Sequence, residues 1–211
     1  MFGVSKESGI WQNTTHDWAM DVDVDHLELI RTDPSFDAYK TALHLILEVL
    51  AYPADEALDR GTGAAIVSLH PDGSISVSDN GRGTDTRTDG HGRMIKKPIM
   101  ATKDLRFFES PDSPPLPDGL ARRGMSVVAS LSDWLIHSNR RTNGSWTQRY
   151  ELGLPTTGLT PLHDDGTTGT TVHFLPSQRL LGEGEISVTG LQRLSRDFAP
   201  VLTVEIQDHR H

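Results

Sequence analysis

The sequence predicts an α/β fold, a two-layer α+β sandwich with helices on one face of a mixed β-sheet. Three observations point there. A strongly apolar helical stretch precedes a β-hairpin, alternating strands fill the second half, and a further helix and strand close the chain. With 211 residues, 36% hydrophobic and 23% charged, the chain can bury a sizeable core.

Residues 1–24 show no sustained period and read as an N-terminal arm, leaving one domain over 25–211. Asp21, Asp23 and Asp25 alternate with valine but lack the glycine and distal glutamate of a calcium loop. His26 to Arg31 fits a short helix stopped by Asp33-Pro34. In the clearest helix Asp37 is the expected N-cap, and Tyr39, Leu43, Ile46, Leu47 and Leu50 fall on one face. Glu48 lies off that stripe and is expected to point away from the apolar packing surface, with Tyr52 and Asp55 on its side. Pro53 lacks an N–H and should kink or end the helix.

Strands are expected over Ala64 to Leu69 and Ser74 to Ser78, joined by the turn Pro71-Asp72-Gly73. Residues 84–118 form a long irregular segment with a short helix expected from Met94 to Thr102, a length that usually marks a functional loop. Met125 to Leu131 reads as a helix start. Trp134 to Ser138, Trp146 to Leu152 and Thr170 to Leu175 read as strands, with a turn at Thr142-Asn143-Gly144. A helix carrying Leu191, Leu194 and Phe198 and a strand from Val201 to Ile206 follow.

Composition removes several function classes. The chain has no cysteine, so disulfides, thiolate nucleophiles and cysteine-based zinc sites are excluded. No apolar run is long enough to span a bilayer and no secretory signal is evident, so no membrane partner is expected and a cytoplasmic address is. The net charge of −9 argues against direct DNA binding. Between Arg82 and Arg149, however, 12 basic residues face 7 acidic ones, an excess that suits a local anion or a solvated basic loop. Neither H-E-x-x-H nor G-x-S-x-G occurs, so neither a zinc hydrolase nor a serine hydrolase is supported.

The residues with chemical meaning gain force from their order. A glutamate sits on the early helix, and Asp79-x-Gly81-x-Gly83 follows a strand. The long segment comes next, then Gly119-x-x-x-x-Gly124 opening a helix, and finally Thr168-Gly169-Thr170-Thr171-Val172 on a late strand. Singly, each is more often a turn or a packing device than a ligand site. Together, with Leu47-Glu48-Val49 through Asp55-Glu56-Ala57-Leu58 and Gly169 to Pro176, they resemble the ATPase domain of the DNA gyrase B protein, in the gyrase, chaperone, histidine kinase and mismatch-repair (GHKL, or Bergerat-type) superfamily. The likeness runs from about Asp17 onward. No transducer, cleavage or tail domain is expected within these residues.

The resemblance implies a role for each position. Asp79 would accept from the adenine amino group, helped by Thr170, while Gly81 and Gly83 bring the backbone beneath the base. Gly119 and Gly124 would open a helix whose N–H groups face the phosphates. Arg82 and Arg141 would line the mouth, where aminocoumarin-type inhibitors also reach. Glu48 would be the general base, and residues 84–118 the ATP lid. The expected ligand is ATP or ADP.

Two departures argue against efficient hydrolysis. The superfamily's magnesium ligand, an asparagine four residues after the glutamate, is Tyr52 here, and a neutral phenol is a poor Mg²⁺ ligand, so no metal ligand is assigned. The phosphate loop, normally G-L-H-G-V-G, carries Arg122 and Arg123. These arginines either replace the metal's charge or fill the phosphate space. The expected function is therefore adenine-nucleotide binding with weak or absent hydrolysis. The alternatives are a non-enzymatic regulatory module acting on a gyrase or topoisomerase subunit or on a second copy of itself, and an ATPase with a non-standard metal site.

Overall fold

The computed structural model describes residues 22–84, 100–108, 113–142, 144–179 and 186–210. The arm expected over 1–24 falls outside them up to residue 21, as do 85–99 and 109–112 of the lid-like segment and Asn143 of the expected turn.

Helix α1 runs Val24–Thr32, with the Asp23 side chain accepting from His26 N as its N-cap. A short 3-10 turn over Pro34–Tyr39 leads to α2, Ala42–Arg60. The N-cap of α2 is Thr41, whose hydroxyl accepts from His44 N at 3.1 Å. Asp37, expected in that role, lies in the 3-10 turn and pairs with Lys40 at 2.7 Å. Pro53 does not end α2, which continues to Arg60 and stops at Gly61 with φ 85°. The proline is itself buried, so packing offsets the missing backbone hydrogen bond.

Strands β1 (Gly63–Leu69) and β2 (Ile75–Asp79) form the expected antiparallel hairpin. Of the helix expected over Met94 to Thr102, residues 94–99 lie outside the described residues and 100–102 form a turn. One helical turn, α3, occurs instead at Leu105–Phe108. Helix α4 (Met125–Ser130) precedes β3 (Ser132–Arg140) and β4 (Trp146–Glu151). Two short strands that the sequence does not signal, β5 (Leu154–Pro155) and β6 (Thr160–Pro161), both pair with β4. Then come β7 (Gly169–Pro176), α5 (Val188–Ser195) and β8 (Leu202–Asp208).

Among the described residues eight strands make one mixed sheet in the order β5-β4-β3-β7-β2-β1-β8, with β6 also on β4. The β1–β8 pair is parallel and the other pairs are antiparallel. Alternation buries Ala65, Val67, Leu69, Ile75, Val77, Leu135, Val172 and Phe174 in the same core as α2 and α4, while Ile66 on the opposite side is exposed. Helix α2 is buried almost all round from His44 to Ala51. This corrects the expectation for Glu48: it does not point away from the packing but is fully buried, because α4 and the loop before it close over its side of the helix. Among the described residues no helix is long and apolar enough to cross a membrane.

Candidate functional site

The hairpin delivers Asp79 to the end of β2, and β7, the neighbouring strand, brings Thr170 alongside it. Asp79 Oδ2 accepts from the Thr170 hydroxyl and from Thr170 N at 3.2 Å, and Oδ1 accepts from Gly81 N at 2.7 Å. Burial pushes its carboxyl above the usual carboxylate range, against the opposing pull of the Thr170 and Gly81 hydrogen bonds. A carboxylate has roughly four lone-pair sites. Three are filled, which leaves Oδ1 one acceptor position.

Asp79 and Thr170 line a cavity of about 180 Å³ whose other walls include Val49, Val77, Met125 and Val172. An apolar slot with one unfilled carboxylate acceptor suits a planar ring carrying an N–H donor. Gly83 in its wall and Gly169 beside Asp79 are glycine by necessity. At Gly83, φ is 76° and a Cβ would lie 2.3 Å from the Arg140 carbonyl oxygen; at Gly169, φ is 130° and a Cβ would lie 2.0 Å from the Asp79 carbonyl oxygen. The close backbone approach at Gly83 is thus to the neighbouring chain segment.

Arg82 and Arg141 flank this segment. Arg82 grips Glu56 through Nε–Oε1 at 2.6 Å and Nη2–Oε2 at 2.9 Å and also pairs with Asp59. Arg141 Nη1 donates to Gly83 O at 2.8 Å. Glu56 itself lines the cavity; the sequence places it in the Asp55-Glu56-Ala57-Leu58 stretch that carries the resemblance, without a role of its own.

At the phosphate-loop segment, Glu48 Oε1 accepts from Arg123 N at 2.5 Å and Oε2 accepts from Gly124 N at 2.9 Å. The carboxylate therefore sits on backbone N–H groups at the start of α4, where Gly124 is the N-cap with φ 93°. Gly119 lies earlier, closing a turn in which its N–H donates to Leu116 O at 2.8 Å.

His44, one turn before Glu48, places Nε2 3.3 Å from Glu48 Oε1 and Nδ1 2.7 Å from Asp118 Oδ2. The Nε2 contact is an ion pair rather than an aligned hydrogen bond. Burial lowers the imidazole's proton affinity, but the Asp118 hydrogen bond and the Glu48 carboxylate overcome it and raise the pKa to about 9. His44 is thus a buried cation between two carboxylates. The sequence does carry a signal for it, since residues four apart share a helix face.

Tyr52 is partly buried beside the loop, and its hydroxyl donates to Asp104 Oδ2 at 3.1 Å and would meet a Cβ at Gly124 at 3.0 Å. Burial is the main reason its pKa is raised above the ordinary phenol value. Arg122 is sandwiched, its guanidinium carbon 4.5 Å from the Tyr52 ring centre and 4.2 Å from that of Phe107, with Nη1 2.8 Å from Asp55 Oδ2. Although Arg122 is 4% exposed, its Nε and Nη2 find no hydrogen-bond partner among the described residues. Arg123 Nη1 donates to Phe107 O at 3.0 Å, and Arg106 chelates Asp104 at 3.0 and 2.7 Å. Asp104, Arg106 and Phe107 follow an irregular stretch with no periodic signal to announce them.

No family model matches the chain. The DNA gyrase B protein of Thermotoga maritima is 34% identical over 171 residues, covering 78% of this chain and 27% of that protein. The DNA topoisomerase 4 B protein of Bacillus subtilis is 30% identical over 172 residues, covering 80% of this chain and 26% of that protein. The chain is a homologue of the B subunits of gyrase and topoisomerase IV. This gyrase-B-like chain spans about a quarter of the length of the curated relatives it matches. Its fold is that of a solved topoisomerase IV ATP-binding domain from Francisella tularensis, in complex with a small molecule inhibitor: the TM-score is 0.69 at 23% identity, over 87% of this chain and 90% of that one.

Proposed function

We propose that this gyrase-B-like chain binds an adenine nucleotide, ATP or ADP, and hydrolyses it weakly or not at all. The observation that carries the reading is the open slot beside Asp79 set against the enclosed Glu48. Asp79 keeps one Oδ1 acceptor position and lines a largely apolar cavity, a combination that suits the adenine amino group. Glu48, the residue matching the superfamily's general base, is fully buried with each oxygen engaged by a backbone N–H. A general base needs a lone pair within reach of water, and none is presented here.

The donor set around Tyr52 does not suit magnesium. Mg²⁺ seeks carboxylate, carbonyl and water oxygens, whereas the Tyr52 phenol keeps its proton for Asp104 and two guanidiniums lie over its ring. Calorimetry with ATP and ADP, paired with a phosphate-release assay, tests the reading. Binding that weakens in Asp79→Asn, with negligible turnover, is the expected result. Absence of binding at millimolar nucleotide overturns the first half of the proposal. Robust turnover that Glu48→Ala abolishes overturns the second and supports an ATPase with a non-standard metal site.

The relatives are named as subunits, which favours a second reading in which the chain also docks on a topoisomerase subunit or on a second copy of itself. Size-exclusion chromatography with and without nucleotide, repeated with gyrase subunits added, distinguishes these from a monomer.

A further inference from the structure

We propose that the nucleotide is bound without a divalent cation, with the Arg122 guanidinium supplying the positive charge beside its phosphates. This inference rests on the nucleotide-binding reading above and adds what neutralises the phosphates.

The position that would hold a metal ligand carries Tyr52, and a cation already lies against it: the Arg122 guanidinium carbon is 4.5 Å from the ring centre, with that of Arg106 5.9 Å away on the same ring. A divalent ion placed there would meet two fixed positive charges and a phenol that donates rather than accepts. The carboxylates nearby are committed elsewhere: Asp104 to Arg106, Asp55 to Arg122, and Glu48 to the loop N–H groups and His44. Among the described residues no group of three or more metal-ligating side chains is placed to hold an ion.

Arg122, by contrast, has capacity to spare. Its Nε and Nη2 are buried donors without partners among the described residues, an arrangement folded proteins rarely leave unfilled. A guanidinium fork matches two oxygens of a phosphate group, and its charge does not depend on pH in the working range. Arg122 reaches the slot only through Tyr52, which lines the Asp79 cavity with one part of its surface and carries the guanidinium on its ring, while Arg122 itself lines a second cavity beside Asp55 and Gly119.

The test compares ATP, ADP and adenosine binding to the whole chain by calorimetry, in excess EDTA and in millimolar Mg²⁺. The expected result is an ATP affinity that EDTA leaves within about twofold. Losing a charge-assisted bidentate contact costs about tenfold or more in affinity, so Arg122→Gln should weaken ATP and ADP by that factor and leave adenosine nearly unchanged. Tenfold or greater loss of ATP affinity in EDTA overturns the inference without a variant being needed. So does an Arg122→Gln protein that binds ATP as tightly as wild type. Failure of adenosine and ATP alike would instead strike the nucleotide-binding reading itself. Should Arg122→Gln not fold, Arg122→Lys, which keeps the charge and loses the fork, is expected to retain EDTA-insensitive binding at reduced affinity; Mg²⁺-dependent binding in that protein counts against the inference.

Discussion

Glu48→Gln separates a catalytic residue from a structural one more sharply than any other single change. In a working general base held near water, this substitution removes activity and leaves stability nearly untouched. Here the carboxylate accepts from Arg123 N and Gly124 N and faces the His44 cation at 3.3 Å. An amide can satisfy one N–H with its oxygen but turns its NH₂ toward the other, leaving a buried donor unpaired at about 1–3 kcal/mol. The His44 cation loses one of its two counter-charges as well. Breaking a buried ion pair from one side costs about 3–5 kcal/mol, an upper bound here because Asp118 remains. A loss of about 2–4 kcal/mol is therefore expected, and at about 2–4 °C per kcal/mol for a domain this size the melting temperature should fall by roughly 5–15 °C. Equilibrium urea unfolding followed by circular dichroism measures it. A change below about 0.5 kcal/mol, the scale of an ordinary surface substitution, would refute the buried, N–H-bound geometry of Glu48.

Two further outcomes follow from the same neighbourhood and from the adenine slot. The His44 pKa is raised from 6.5 to about 9 in the folded chain, so its proton stabilises the fold fully below pH 6.5 and that contribution fades as pH rises through about 9. Urea midpoints measured from about pH 6 to 10 should decline over that window, and His44→Gln should flatten the decline. Gly169→Ala should cost more than about 3 kcal/mol or prevent folding, since φ of 130° and a Cβ 2.0 Å from the Asp79 carbonyl leave no room; an unchanged melting temperature would contradict the close packing of β7 on Asp79.

Much of this is legible in the sequence because the decisive signals are local. The Asp79–Gly83 cluster follows a hairpin with a clear turn, and Thr170 lies on a strand marked by alternation, so their meeting needs only the sheet order. The short α4 is marked by the glycines before it. What escapes depends on burial and on pairing across long separations. An apolar stripe suggests a one-sided helix, but α2 is covered on several sides, and this draws Glu48 and His44 inward together. Asp118 reaches His44 from 74 residues away, and Asp104 reaches Tyr52 from 52. Charge pairs at such separations leave no periodic trace. The N-cap of α2 differs from expectation for a local reason: Asp37 and Thr41 are both good caps, and Pro34 starts a separate 3-10 turn that uses up the first.

Base selectivity decides whether Asp79 reads adenine. An ionised Asp79 can only accept, so adenine's amino group pairs with it and guanine's carbonyl at the same position opposes it. Direct titration of ATP and GTP against the wild-type chain should show a preference for ATP of about 100-fold or more. Equal affinity for the two would mean that the slot beside Asp79 does not read the base, and the nucleotide assignment would fail with it.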